Sequence, residues 1–270
     1  MKKTIIALFA ALFALGMIAV VIASIPKSNE PAVTPGQDLL KDFVPEKAYE
    51  AALQKFSKAD NYKWFYTHDI QMGAAHIAHH DITEIRDGDN WYLQTPVGRV
   101  TTKLTYADGV MYRIEDDALD GETKTKATMT EEEFWKFFPC ERLDEMGKGS
   151  VLRFETATAT QEDNVVVVTF QLNEEEMALM AGDLSILVDL GTPEDSIRFI
   201  KGTYSLRFNE AGDLIGIRCG IDITFLVGTS TAEGTVSIQS TISYGDAKVE
   251  APEKADTYTD VTDETESNLK

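Results

Sequence analysis

This chain of 270 residues has only two cysteines and four histidines, which leaves little for thiol redox chemistry or for soft-metal sites. Catalytic signatures are missing too. There is no Gly-x-Ser-x-Gly elbow, no Walker loop and no dinucleotide fingerprint. Abundant carboxylates do not replace them, because paired acids act only at a defined separation across a cleft. Nothing in the residues calls for a cofactor, and the expectation is a protein that is not an enzyme. Positive charge is scarce as well, with 25 basic against 45 acidic residues and a formal charge of −20. Such a field repels phosphate backbones and anionic head groups, which excludes nucleic acid as a partner.

Long apolar runs are absent except at the start. Lys2 and Lys3 precede an uncharged, mainly apolar stretch from Ile5 to Ile25, the pattern of a membrane-directing segment. The stretch exceeds an ordinary cleaved core and approaches the ~20 residues of a bilayer span. Residues 1–25 therefore read either as a signal peptide or as an N-terminal membrane anchor. Both leave the remainder extracytoplasmic, secreted or anchored, since the lysines stay inside. Cys140 and Cys219 then have two readings, one disulfide or two free thiols.

Residues 26–44, with Pro26, Pro31, Pro35 and Gly36, read as a linker. Pro45 opens a helix whose Ala48, Tyr49, Ala52, Leu53 and Phe56 share one face. Beyond that helix, most of the chain alternates apolar and polar residues at period two. Trp64, Tyr66, Ile70 and Met72 share a face; so do Trp91, Leu93 and Val97. A loop at Ala107–Gly109 would set Tyr106 opposite Val110 and Leu104 opposite Tyr112. A loop at Gln161–Asp163 would set Phe154 against Phe170. One at Glu210–Asp213 would set Leu206 against Ile217 and Tyr204 against Cys219. Residues 228–235, rich in Gly, Ser and Thr, read as a loop before the strand of Val236, Ile238 and Ile242. Thr130 with Glu133 caps a short aromatic helix carrying Phe134, Trp135, Phe137 and Phe138, and Asn173 with Glu176 caps another. The acidic tail, 251–270, has the composition of a disordered segment.

The pattern predicts a mainly β (α+β) fold: a strongly curved antiparallel sheet or incomplete β-barrel, with about three short helices on its concave side, preceded by the N-terminal helix. The opening helix, Pro45 to Phe56, and the closing stretch from Tyr244 to Pro252 resemble those of the LolA-like superfamily of bacterial lipoprotein carriers and lipid-binding lipoproteins. That resemblance spans residues 45–250 and implies an apolar cavity plugged by helices. It implies a carrier or sensor of a lipid or lipopeptide at the cell envelope. The faces of the strands and of the aromatic helix nominate Trp64, Tyr66, Trp91, Leu104, Tyr106, Tyr112, Phe134, Trp135 and Phe138 as its lining. The alternative is an envelope protein-interaction module with a solid core.

All four histidines fall between residues 68 and 80. With a turn at Gly73-Ala74 and regular pairing, His68 would face His79, with Asp81 nearby. His68, His79 and Asp81 are thus the candidate metal ligands, against the plainer reading of a hydrogen-bonded pair or a solvated turn.

Overall fold

The computed structural model describes residues 38–97, 99–137, 152–182, 184–189 and 191–262. The leader, most of the linker, Phe138, Cys140 and the end of the tail lie outside the described residues. No described helix is long and apolar enough to cross a membrane.

The fold is mainly β, one large, open, curved sheet. Its twelve strands are β1 (Asn61–Met72), β2 (Ala75–Asp87), β3 (Asn90–Val97), β4 (Val100–Ala107), β5 (Val110–Asp117), β6 (Gly121–Thr128), β7 (Thr158–Glu162), β8 (Val165–Leu172), β9 (Arg198–Phe208), β10 (Leu214–Val227), β11 (Ser230–Tyr244) and β12 (Thr259–Asp260). Their spatial order is β12-β6-β5-β4-β3-β2-β1-β11-β10-β9-β8-β7. Two meanders, β1–β6 and β7–β11, are thus joined where the first strand pairs with the eleventh. That seam is long and regular, from Tyr62↔Tyr244 to Gln71↔Thr235. Every pairing is antiparallel except β12 on β6.

Four helices occur among the described residues: α1 (Pro45–Ser57), α2 (Glu131–Phe137), α3 (Glu174–Ala181) and α4 (Ser185–Asp189). Period-two alternation makes one sheet face apolar, and the helices' buried residues join the same core. Tyr49, Ala52 and Phe56 of α1, Phe134 of α2, Met177 and Ala181 of α3 and Leu187 of α4 pack there with Tyr62, Trp64, Leu206, Ile221 and Ile242. Burial of this kind stabilises at roughly 25 cal/mol per Å² of apolar area and holds helices too short to persist alone.

Both capping boxes form. Glu133 N–H donates to Thr130 Oγ1 at 3.2 Å, and Thr130 N–H donates to Glu133 Oε2 at 2.8 Å. Asn173 and Glu176 exchange the same pair of bonds. The β9–β10 register is as expected, with Leu206 on Ile217 and Tyr204 on Cys219.

Other registers differ from the sequence reading. Asp108 and Gly109 both take left-handed backbone, φ +54° and +77°, so the loop has two residues rather than three. Tyr106 then pairs with Met111, and Tyr112 with Thr105. Met111 becomes a fully buried core residue. Tyr112 moves to the opposite face, against Tyr258 at 5.7 Å. Phe154 is no strand partner of Phe170. It sits in a 3-10 turn, Phe154–Thr156, and packs edge-on against Phe170 at 5.2 Å. The expected 228–235 loop shrinks to a turn, because Val227 already pairs with Ser230. The tail departs from its composition, which points to disorder from Ala251. Instead β12 pairs with β6, and Tyr258 and Val261 are buried.

Candidate functional site

The aromatic face comes first. Trp64, Trp91, Leu104, Tyr106 and Phe134 are all buried, on one face of the sheet or on the helix that covers it. Trp135 and Tyr66 are half-buried at its margin. They pack ring against ring. Phe56 of α1 lies 4.6 Å from Tyr62, Trp135 lies 4.8 Å from Trp91, and Phe134 lies 5.2 Å from Tyr106.

Polar handles are satisfied within this packing, as buried indoles and phenols require. Trp64 Nε1 donates to Ser240 Oγ at 2.8 Å, and the Tyr106 hydroxyl donates to the Met129 carbonyl at 3.2 Å. Glu131 Oε1 accepts from both indoles, Trp91 at 3.0 Å and Trp135 at 3.3 Å. A single carboxylate oxygen thereby rivets α2 to the sheet. A small depression lies elsewhere, beside α3. Its walls include Leu152, Leu172, Glu176, Leu179 and Met180, and it encloses about 10 Å³, the space of one water.

Chemistry gathers instead at the β1–β2 hairpin. The turn is at Gly73-Ala74 as expected, but pairing slips between Ile70 and Gln71. Asp69 faces His79 and Ile70 faces Ala78, whereas Gln71 faces His76. Ile77 is the extra residue of a β-bulge. His76 and His79, three apart, would lie on opposite faces of a regular strand. The bulge turns them to the same one, a recurrent use of such irregularities.

There the two imidazoles converge on one carboxylate. Asp69 Oδ1 lies 2.7 Å from His76 Nδ1 and 3.3 Å from His79 Nδ1. Gln71 Nε2 donates to the other oxygen, Oδ2. The far nitrogen of His79, Nε2, lies 3.2 Å from Asp81 Oδ2. The three donor atoms of Asp69, His76 and His79 lie within 4.8 Å of one another. Asp69 is buried, while the side chains of His76 and His79 are 58% and 48% exposed. The cluster is therefore anchored from below and open to solvent above.

Burial alone would raise the Asp69 carboxyl, but hydrogen bonds from His76, Gln71 and His79 outweigh it and hold the group below the usual carboxylate range. Partial burial likewise works to lower His79, and its bonds to Asp69 and Asp81 reverse that and raise it.

The expected ligand set, His68, His79 and Asp81, is not assembled. His68 pairs with His80, rings 6.4 Å apart, on the other face of the sheet. Its Nε2 lies 3.2 Å from the Ala181 carbonyl, and burial lowers its pKa. His79 and Asp81 remain neighbours. The partners that sequence reasoning missed, Asp69 and His76, come together only through the bulge. Cys219 is a buried free thiol, raised by burial to about 12; its candidate partner Cys140 lies outside the described residues.

No family model and no curated protein matches this chain. Among solved structures, it is similar to Rv2717c from M. tuberculosis, at 9% identity over 70% of this chain and 96% of that one, with a TM-score of 0.19. It is likewise similar to the ywiB protein of Bacillus subtilis, at 9% identity over 69% and 92% of the two chains, with a TM-score of 0.14. At these scores neither likeness bears on function.

Proposed function

We propose that this protein is an extracytoplasmic interaction module, anchored or secreted through residues 1–25, which works by its outer surface rather than by an internal ligand chamber. One observation carries the reading. The aromatic residues that a lipid carrier would line its chamber with are in ring contact with one another and with α1 and α2. In this proposal the sheet is an incomplete barrel whose concave side is occupied by the protein's own helices. Kinship with the LolA-like superfamily would then be architectural, without the lipid cargo.

The surface left for work is the polar face of the central strands. Thr67, Thr83, Gln239, Thr241 and Ser243 alternate there around Phe65, an aromatic side chain nearly half exposed. A hydroxyl-rich face with one aromatic anchor suits a protein partner. The charge of −20 favours a neutral or basic one.

The test is native expression followed by two measurements. Organic extraction and mass spectrometry are expected to find no stoichiometric lipid. A photo-crosslinking residue at position 65 is expected to give a discrete protein adduct that one placed at Leu119 does not. A lipid released in equimolar amount on denaturation would overturn the proposal in favour of the carrier.

A further inference from the structure

We propose that Asp69, His76 and His79 bind a divalent transition-metal ion, with zinc the best fit, on the solvent side of the β1–β2 hairpin. This rests on the hairpin's geometry alone and is independent of any protein partner.

The donor set is the one zinc takes in open sites, two imidazoles and a carboxylate, with a fourth position left for water. Around zinc the three donor atoms would be roughly 3.3 Å apart, given bonds of about 2.0–2.1 Å. Of the present separations, 3.3 Å from Asp69 to His79 meets that spacing and 2.7 Å from Asp69 to His76 falls short of it. Loading requires His76 to withdraw slightly from Asp69 and the two imidazole nitrogens, now within 4.8 Å of each other, to close on the ion, exchanging hydrogen bonds for coordinate bonds. Half-exposed imidazole rings can make that movement without disturbing the core.

Two further contacts separate this cluster from a chance gathering of side chains. A ligating imidazole usually has its other nitrogen held by a carboxylate, and a ligating carboxylate is itself hydrogen-bonded. Asp81 holds His79 by Nε2, leaving Nδ1 for the centre. Gln71 holds Asp69 by Oδ2, leaving Oδ1 for the centre. Asp69 also stands nearly buried as the fixed member, between Ser237 of β11 and His79 of β2. The bulge at Ile77 completes the arrangement by bringing His76 round. Without a metal the same atoms form a hydrogen-bonded His-Asp-His group, and that is the alternative the experiment must exclude.

The full chain, purified without a histidine tag, is titrated with zinc chloride by calorimetry, with elemental analysis of the dialysed product. A single saturable equivalent is expected. His79→Ala and His76→Gln are each expected to weaken binding by at least about tenfold. Asp81→Asn, which touches no metal, is expected to weaken it about 10–100-fold. His80→Ala, on the opposite face, should leave it unchanged. Urea midpoints of the metal-free variants identify any that are misfolded, and the Asp81 and His80 substitutions, at exposed positions, supply the decisive contrast. Absence of saturable binding at millimolar zinc overturns the proposal. So does an Asp81→Asn affinity equal to wild type together with a loss in His80→Ala.

Discussion

Glu176 shows how much one carboxylate does in this molecule. Its Oε2 accepts the Asn173 N–H at 2.7 Å and so completes the cap of α3. Both oxygens also accept from Arg153, at 2.7 and 3.1 Å. The Arg153 hydrogen bonds hold its pKa down against burial, helped by the cap. A depressed folded pKa means stabilisation that is fully present above the unfolded value of 4.5 and lost as pH falls through the folded one. Glu176→Gln is expected to cost about 1–2 kcal/mol at neutral pH, since Arg153 is partly exposed. In thermal melts the gap to wild type should narrow below pH 4.5. A second residue-level expectation concerns Cys219, whose raised thiol and burial should keep it unreactive. In a Cys140→Ser background, a thiol reagent at pH 8 should label it only on unfolding. The histidines show where residue-scale reading stops. Their clustering and the turn at Gly73-Ala74 are plain in the sequence. The one-residue slip at Ile77 is not, because a regular hairpin and a bulged one share the same turn and the same alternation. A Cβ on Gly234 of β11 would stand 2.7 Å from the Gln71 carbonyl. That glycine lets the backbone of β11 pass close to Gln71 of β1, across the strand from the bulge. Gly234→Ala should cost about 1–3 kcal/mol by overpacking, measurable as a lower urea midpoint.

At the scale of elements, α2 is the clearest case of local signal and tertiary setting in agreement. Its capping box, its aromatic face and its beginning at Glu131 all follow from the string Thr130 to Phe137. Its task does not. The same aromatic face serves equally to roof a chamber or to fill one; here its rings lie 4.8 Å from Trp91 and 5.2 Å from Tyr106. Phe134→Ala should remove about 3–5 kcal/mol of stability, since the ring is fully buried. The measurement is chemical denaturation. An improved affinity for a fluorescent fatty acid without that loss would mean that the ring is a lid rather than core. Hairpins are legible in existence and less so in register. Where the turn is tight, as at Asp108-Gly109, a two-residue loop moves every partner by one. Met111, which a three-residue loop would leave on the opposite face from Tyr106, then pairs with Tyr106 and is fully buried.

The whole molecule adds what no single element can specify, the seam between β1 and β11. Alternation identifies both as half-buried strands, but nothing local says that they pair across 163 intervening positions at Gln71↔Thr235 and 181 at Tyr62↔Tyr244. The two meanders therefore depend on each other for one long edge apiece. The first meander expressed alone, from Asp38 to Thr130, should fail to remain monomeric, because β1 would offer a full unpaired edge. Size-exclusion chromatography with light scattering would show it, and a stable monomer with native-like circular dichroism would count against the seam as a structural necessity.

That seam also sets a timetable. A ribosome delivers β1 early and β11 nearly last, so the middle of the finished sheet is the last part to close. Until then, each meander carries a raw border that invites the wrong neighbour, and loop closure over such a distance is slow. A chain of this design gains from being kept unfolded until all of it is in one place.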